Sequence, residues 1–457
     1  MNNLGNCVLG FVPTRRDVFK AARKEEIISL TNKVAAKFNV KLVGIEGITS
    51  EGLLFDNGDV PKVAAHLQAG GVDAVFVPHA NFGQEEAVAK LCKILQKPVL
   101  LWGPRDMAPK GIMDQLNDRP YDVQCGLFAT SRALLSYNVP FTYIENCWID
   151  SPVFEKGFED FIKTVCAVRA FRQARIGQMS VRPRQFLTVK YNESELLERF
   201  GVEVVPIDSA EVFGEIKSIL NKQNLIDDKI TSWKKGLDFS NDPPENVKKI
   251  AAANLAIHNL AERYQCNAMT GECWSMLQNE FGINACFVWG SLTDDGLPVT
   301  CENDVVGALT SVTMAAATRG TTPAFFADLT IRHPDNDNAE LLWHCGPFPP
   351  SLAKESPTPG VCGGKGQFEI KGGEITLGRI GFSREKYLFF VDKVKGIPGP
   401  KTNGTYVWVE TGNWPLWERK FVYGPYIHHI VGIHGAYKEI LREAIRYLGN
   451  IEFDSVE

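Results

Sequence analysis

The first third of the chain alternates short apolar runs with segments whose apolar residues recur at helical spacing. We predict buried strands at 8–12, 41–43, 74–77 and 98–102, and helices at 17–38, 60–69, 85–96 and 153–174. Strands that alternate with helices predict a parallel sheet covered on both faces. The pattern therefore indicates a doubly wound α/β domain at 1–177, with its polar chemistry beyond the carboxyl ends of the strands.

The same alternation continues, less regularly, as far as residue 324. A connector is predicted at 178–184, then a strand at 202–206 and a helix at 208–220 capped by Asp208 or Ser209. A long helix follows at 243–264, and an amphipathic helix is predicted at 305–318. We interpret 178–324 as a second doubly wound α/β domain, which carries Glu302.

From residue 325 the chain becomes dense in glycine and proline, and its apolar runs become short. Runs typical of strands lie at 368–370, 374–377, 387–391 and 405–409, with turn residues between them, and a helix at 436–448 closes the chain. Regular short strands of this kind predict an antiparallel barrel or sandwich. The predicted fold class is therefore α/β, with two doubly wound domains followed by a β-rich, barrel-like domain at 325–457.

Composition narrows the class of protein but does not indicate which reaction, if any, it catalyses. The chain has 457 residues, of which 44% are hydrophobic and 23% charged, and its formal net charge is -5. These values are ordinary for a globular protein and give no reason to expect nucleic acid or an anionic membrane as partner. No signal peptide and no membrane span are expected. Eleven cysteines without a Cys-x-x-Cys pair favour reduced thiols and a cytoplasmic location.

Acidic side chains follow two of the apolar runs. Glu302 and Asp304 lie at the junction between an apolar run and the helix predicted at 305–318. Asp304 is interpreted as the cap of that helix, whereas Glu302 is expected to be aimed at a ligand. Asp328 follows Phe325, Phe326 and Ala327, and a turn position or an ion pair with Arg332 is the alternative role for it.

Histidines complete the set of candidate ligands. His344 ends an apolar run before a glycine and proline loop, where a lone histidine is more often packed and hydrogen-bonded than a ligand. His428 and His429 are adjacent, and successive side chains of a strand point to opposite faces, so only one of them can face a given site. Two carboxylates and a histidine, each where a strand is expected to end, are the ingredients of an open divalent-metal site.

Taken together these segments resemble a known family. The stretches 301–308, 325–328 and 427–429 are similar to the active-site motifs of the L-fucose isomerase and L-arabinose isomerase superfamily. The stretch 342–346 resembles a further position at which a histidine lines the metal pocket, and 10–16 resembles the start of the fucose-isomerase-like branch. The resemblance extends over essentially the whole chain.

The resemblance implies a metal-dependent aldose–ketose isomerase, which is an intramolecular oxidoreductase. Glu302, Asp328 and His429 would hold the cation, most often Mn²⁺, although Mg²⁺, Co²⁺ or Zn²⁺ would suit the same ligands. The proton would move between C1 and C2 through a cis-enediol, with Glu302 and Asp328 as acid/base groups. Further ligand or substrate contacts are expected from His344, Asn81, Arg16, Trp289 and His428.

Assembly and substrate are less closely defined. The family implies a homo-oligomer, a trimer or a hexamer, in which a loop matched here by 79–84 completes a neighbour's pocket, although this loop lacks the family's tryptophan. The substrate could be a pentose, a deoxyhexose or an anionic sugar, and Arg15, Arg16 and Arg105 could contact an acidic group or be solvated. A sugar epimerase that uses the same chemistry and a non-catalytic sugar-binding protein or sensor remain the alternatives.

Overall fold

The computed structural model describes residues 4–19, 22–106, 121–384 and 386–456. The chain divides into two compact units, one formed by Asn6–Cys166 and the other mainly by Ala167–Glu457, which we call the N-terminal unit and the C-terminal unit. Both parallel sheets and the barrel expected from the sequence are present, so the predicted fold class is confirmed. The three domain ranges 1–177, 178–324 and 325–457 stay predictions.

The N-terminal unit contains a five-stranded parallel sheet in the order β2-β1-β3-β4-β5. Its strands are β1 Val8–Phe11, β2 Lys41–Val43, β3 Ala74–Pro78, β4 Val99–Trp102 and β5 Thr142–Tyr143. Its described helices are α1 Lys24–Lys37, α2 Val60–Ala69, α3 Glu85–Leu95, α4 Val123–Ser136 and α5 Pro152–Arg172. Strands β3 and β4 are buried along their whole length, which explains their continuous apolar runs.

The helix predicted at 17–38 begins later than expected, at Lys24. The backbone N–H of Arg23 donates to the carbonyl of Ala80 instead of joining a helical turn, and the Arg23 guanidinium donates to the carbonyl of Arg105. These two bonds hold the residue before the helix in an irregular loop. The prediction was wrong here because a long-range backbone bond replaced the local helical one.

A four-stranded parallel sheet, in the order β7-β6-β8-β9, opens the C-terminal unit. The strands are β6 Arg175–Met179, β7 Glu203–Ile207, β8 Ala268–Gly271 and β9 Val299–Thr300. The helices are α6 Glu193–Phe200, α7 Ser209–Leu220, α8 Gln223–Trp233, α9 Pro244–Arg263, α10 Met276–Phe281, α11 Cys286–Asp294 and α12 Val305–Ala317. The connector predicted at 178–184 was wrong for Gln178 and Met179, which pair with strands on both sides.

A closed barrel of six antiparallel strands follows. Its strands are β10 Phe325–His333, β11 Asn336–His344, β14 Gly373–Ser383, β15 Lys386–Ile397, β16 Thr405–Glu410 and β17 His429–His434. The ring runs β16-β11-β10-β17-β14-β15, and pairing of β15 with β16 closes it. The remaining elements are β12 Gly360–Cys362, β13 Lys365–Glu369, β18 Ile451–Asp454, α13 Trp414–Tyr423 and α14 Lys438–Leu448.

Helix α12 joins the parallel sheet to the barrel. All of its residues are buried, and it contacts β8, β14 and β17. A helix that is apolar on every face is stable only when protein surrounds it, as it does here. The residues that come just before this helix therefore lie between the sheet and the barrel. Among the described residues, no helix has both the length and the apolar character that crossing a membrane requires.

Candidate metal centre

The Glu302 carboxylate is presented by a tight turn between β9 and α12. Glu302 and Asn303 both adopt left-handed backbone conformations, with φ of +56° and +55°. Residues other than glycine are uncommon there, and each such conformation costs about 1–3 kcal/mol, so its surroundings must hold it in place. The Asn303 side chain donates to the carbonyl of Met179 at 3.1 Å, and its backbone N–H donates to the carbonyl of Gly271 at 3.3 Å.

Asp304 caps helix α12, as the sequence predicted, by accepting the backbone N–H of Gly307 at 2.8 Å. Its carboxylate also accepts two hydrogen bonds from the Arg379 guanidinium, at 2.5 and 3.1 Å. A fourth bond comes from Nδ1 of His429 at 2.8 Å. Burial opposes ionisation of Asp304, but the Arg379 charge and His429 outweigh it and hold the pKa well below its usual range.

The bond to Asp304 fixes the orientation of the His429 ring. Because Nδ1 donates its proton to the carboxylate, Nε2 is left with a free lone pair that points away from Asp304. A carboxylate behind a histidine is the usual device for holding a metal-binding imidazole in one tautomer. Gly307 leaves room for this arrangement, since a Cβ there would lie 2.7 Å from the Phe326 ring and 2.8 Å from an Asp304 oxygen.

Strand pairing brings the remaining candidates to the same point. Asp328 on β10 pairs with His429 on β17 and with Trp343 on β11, which places His344 one position further along. Nε2 of His429 lies 3.5 Å from Oδ1 of Asp328 and 3.7 Å from Oε2 of Glu302. Nε2 of His344 also lies 3.7 Å from that Glu302 oxygen. The structure thus brings together Glu302, Asp328, His344 and His429.

Three of these groups present buried atoms without hydrogen-bond partners in the described part of the chain. They are Oε2 of Glu302, Oδ1 of Asp328 and Nε2 of His344. A buried polar atom left unpaired normally costs about 1–3 kcal/mol, so three at one point indicate a missing partner. Donors about 2.1 Å from one cation lie at most about 4.2 Å apart, which the separations of 3.5–3.7 Å satisfy. Glu302, His344 and His429 therefore fit a divalent cation, and Asp328 lies beside them in a second donor group that shares His429 and includes His428.

The ionisation of Glu302 and of His344 is controlled by the groups that lie next to them. Burial opposes ionisation of Glu302, but the imidazoles of His344 and His429 lower the pKa of its carboxyl to about 2. Burial also opposes the charged form of His344, yet Asp328 and Glu302 raise the pKa of that imidazole well above its ordinary value. Each charge thus depends on its neighbours, as expected where a cation and its ligands share a buried space.

His428 faces the opposite way from its neighbour. Its side chain is 45% exposed, compared with 1% for His429, and its Nε2 lies 3.9 Å from Oδ1 of Asp328. The ring stacks on Phe186 at 5.4 Å. Burial lowers the pKa of His428. This residue lies at the rim of the centre and is available to a bound molecule.

Aromatic residues that the sequence patterns did not single out form a wall of the centre. The Trp274 indole N–H donates to Oε1 of Glu302 at 3.0 Å, and the Cys273 thiol lies 3.4 Å from the same oxygen. Phe186 stacks on Trp274 at 5.9 Å and meets the edge of His429 at 5.2 Å. Trp274 is 50% exposed, so it faces solvent as well as the carboxylate.

Trp289, one of the three other predicted contacts, is not among the four groups that the structure brings together. Its side chain is fully buried in helix α11, where its ring packs against Gly271. Asn81 and Arg16 belong to the N-terminal unit, where the Asn81 side chain accepts the backbone N–H of Arg16 at 2.8 Å. The Arg16 guanidinium pairs with Glu85 at 3.0 Å and lies over the Phe82 ring. Substrate contact by these three residues stays a prediction.

Comparison with known proteins identifies related chains. Residues 10–172 match the family model of the fucose/sulfoquinovose isomerase N-terminal domain. A sulfoquinovose isomerase from Alkalicoccus urumqiensis is 26% identical over 343 residues, covering 73% of this chain and 75% of its own. One from Priestia aryabhattai is 26% identical over 397 residues, covering 84% and 86%.

A periplasmic sugar-binding protein from Legionella pneumophila aligns with 68% of this chain and 94% of its own at 13% identity. Its TM-score of 0.15 is too low to support a shared fold. The sequence relatives, in contrast, span most of both chains. These matches support the resemblance to the fucose-isomerase-like superfamily that the sequence motifs indicate.

Proposed function

We propose that this protein is a metal-dependent isomerase that interconverts sulfoquinovose and its ketose. The observation that carries the metal dependence is the convergence of three buried, unpartnered donor atoms, on Glu302, Asp328 and His344, around Nε2 of His429. The relatives named sulfoquinovose isomerase support the substrate. Sulfoquinovose is a 6-deoxyhexose with a sulfonate on C6, which narrows the sequence expectation of a deoxyhexose or an anionic sugar.

The cation is assigned to Glu302, Asp328 and His429, with His344 as a further ligand. Carboxylate and imidazole ligands suit Mn²⁺ and also admit Mg²⁺, Co²⁺ and Zn²⁺. Once bound, the cation would stabilise the negative charge that develops on O1 and O2 of the sugar. Asp304 acts behind this set by holding the His429 ring in place through its 2.8 Å hydrogen bond.

Proton transfer between C1 and C2, through a cis-enediol, is assigned to the two carboxylates. The side chain of Asp328 is 22% exposed, and that of Glu302 only 7%, so Asp328 is the more accessible to a bound sugar. Positioned acid/base groups of this kind contribute about 10²–10⁴-fold to a rate. A homo-oligomeric assembly, as a trimer or hexamer, and a cytoplasmic location complete the proposal.

The test is a panel of aldoses, including sulfoquinovose, incubated in D₂O with the protein before and after chelator treatment. We expect ketose formation with deuterium incorporated at C1 or C2, loss of activity with chelator, and recovery with Mn²⁺. Glu302→Gln and Asp328→Asn should each lower turnover by at least 10²-fold, with unchanged circular dichroism. Asp337→Asn, on an aspartate whose side chain is 99% exposed, is the matched control.

Three outcomes would overturn the proposal. Full activity in Glu302→Gln or Asp328→Asn would remove the two carboxylates from the chemistry. An epimeric aldose as product would favour the epimerase. Binding of sugars without any exchange, under every metal tested, would favour a binding protein.

A further inference from the structure

A cavity of about 550 Å³ opens beside the metal centre, within the C-terminal unit. It lies where β6 ends at Met179 and where helix α10 begins, which is the carboxyl edge of the parallel sheet. Sites for small molecules have volumes of about 300–1,000 Å³ and often lie at such edges. Its polar lining includes Arg182, Arg184, Gln185, Ser275 and Asn279.

Two aromatic residues connect this cavity with the centre. Trp274 lines the cavity and at the same time donates its indole N–H to Glu302. Phe186 directly follows the cavity-lining Gln185 and contacts the rings of Trp274, His428 and His429. A sugar whose O1 and O2 lie near Glu302 therefore has the cavity next to it.

The carboxylates in the cavity lining already have partners. Glu272 accepts the backbone N–H groups of Trp274, Ser275 and Met276, at 2.7–3.2 Å, and so caps α10. Glu280 forms an ion pair with Lys217 at 2.5 Å. Among the described residues, neither carboxylate forms an ion pair with an arginine of the lining.

The guanidinium groups of Arg182 and Arg184 have no carboxylate partner among the described residues. Among the described residues, neither Arg182 nor Arg184 forms an ion pair, and Arg182 donates a hydrogen bond to the carbonyl of Pro183 at 3.4 Å. Arg182 is half-buried and Arg184 exposed. In contrast, Arg16 of the N-terminal unit already pairs with a glutamate. A planar guanidinium matches the geometry of an oxyanion and can donate two parallel hydrogen bonds to it.

We infer that Arg182 and Arg184 form the subsite that binds the sulfonate of the substrate, while the metal centre handles C1 and C2. The inference rests on the proposed function, because it needs an anionic sugar held at Glu302. A sulfonate is ionised throughout the physiological range, so this contact selects sulfoquinovose over sugars that end in a hydroxyl or a methyl group. The two arginines are specificity determinants and take no part in proton transfer.

The test compares sulfoquinovose with quinovose, the same 6-deoxyhexose without the sulfonate. Arg182→Gln, Arg184→Gln and the double variant are measured beside Arg419→Gln, a control on the exposed surface of α13. Charge-assisted hydrogen bonds of about 1.5–3 kcal/mol correspond to roughly a 10–100-fold change. We expect KM for sulfoquinovose to rise by that factor in the double variant, with kcat altered less than about threefold. Arg182→Lys should restore part of the loss.

Quinovose provides the discriminating readout. Its affinity, measured as an inhibition constant against sulfoquinovose turnover, should be the same in the wild type and in the double variant. An unchanged KM for sulfoquinovose in the double variant would overturn the inference, as would an equal weakening for both sugars. Failure of the wild-type protein to convert sulfoquinovose with any divalent metal would instead refute the proposed function, and the subsite with it.

Discussion

Replacing Asp304 by asparagine separates its role as a helix cap from its role behind the metal centre. Asparagine is as good an N-cap as aspartate, so the bond to the Gly307 N–H can be kept. The negative charge, however, is lost. The amide then presents one donor group to Arg379 and His429, which are both donors themselves.

The expected magnitude follows from burial. The Arg379 side chain is 5% exposed and Asp304 is fully buried, so the variant leaves a buried guanidinium without its counter-ion. Breaking a buried pair in this way costs about 3–5 kcal/mol of unfolding free energy. His429 also loses the acceptor that fixes its tautomer, and losses of this kind lower metal affinity by about 10–100-fold.

Asp208→Asn is the matched control. Asp208 caps α7 through the backbone N–H of Ala210, but it is exposed and, among the described residues, has no arginine or histidine partner. We expect that variant to stay within about 0.5 kcal/mol of the wild type. Urea unfolding of the metal-free proteins, followed by tryptophan fluorescence, gives the stability, and titration with Mn²⁺ gives the affinity.

Two results would refute this reasoning. One is an equal, small effect of Asp304→Asn and Asp208→Asn, which would reduce Asp304 to a cap. The other concerns the double variant Asp304→Asn/Arg379→Met, which removes both charges of the buried pair and should recover part of the lost stability. If stability does not recover, the loss in Asp304→Asn is not caused by the unpaired Arg379 guanidinium.

Three further predictions concern the groups around the centre and the barrel. The pKa of Glu302 is lowered from 4.5 to about 2, so its carboxylate contributes about 3 kcal/mol to the unfolding free energy above about pH 4.5. This contribution is lost as the pH falls towards 2. In metal-free protein, Glu302→Gln should therefore flatten the acid limb of a profile of stability against pH. Lys438→Met should lower the unfolding free energy by about 3 kcal/mol, since it leaves the buried Asp392 carboxylate without its lysine counter-ion. The control Lys386→Met, on a side chain that is 72% exposed, should change it by less than about 0.5 kcal/mol in the same urea experiment. Trp274→Phe removes the indole donor to Glu302 and should lower kcat/KM by about 10-fold in a sulfoquinovose turnover assay.

Local patterns predicted the parts of this molecule that depend on neighbouring residues. The parallel sheets follow from alternating apolar runs and helices, and the Asp304 cap follows from an acid at a strand-to-helix junction. The strands β10 and β11 were harder to predict from the sequence, since the end of β10 and the start of β11 are polar and exposed. Helix α13 was not predicted either, because tryptophan and proline at its start obscure the helical pattern.

The residues that surround the metal centre could not be predicted from local sequence patterns. Arg379 reaches Asp304 across 75 positions and His429 reaches it across 125, so no spacing in the sequence links them. The one available signal was a lone arginine within the apolar run that follows Ile375, which suggests a buried partner. Phe186 and Trp274 gave no signal, because aromatic residues are as common in a core as beside a site.

The most direct test of the cation site is titration of metal-free protein with Mn²⁺ by isothermal calorimetry, in the wild type, His429→Gln and His434→Gln. His434 ends the same strand, β17, and its Nε2–H donates to the carbonyl of Lys371 at 2.7 Å, so it controls for loss of a histidine from that strand. We predict one Mn²⁺ per chain in the wild type and in His434→Gln, and at least a 100-fold weaker affinity in His429→Gln. Equal affinity in all three proteins would contradict the assignment of Glu302, Asp328 and His429 to a metal centre.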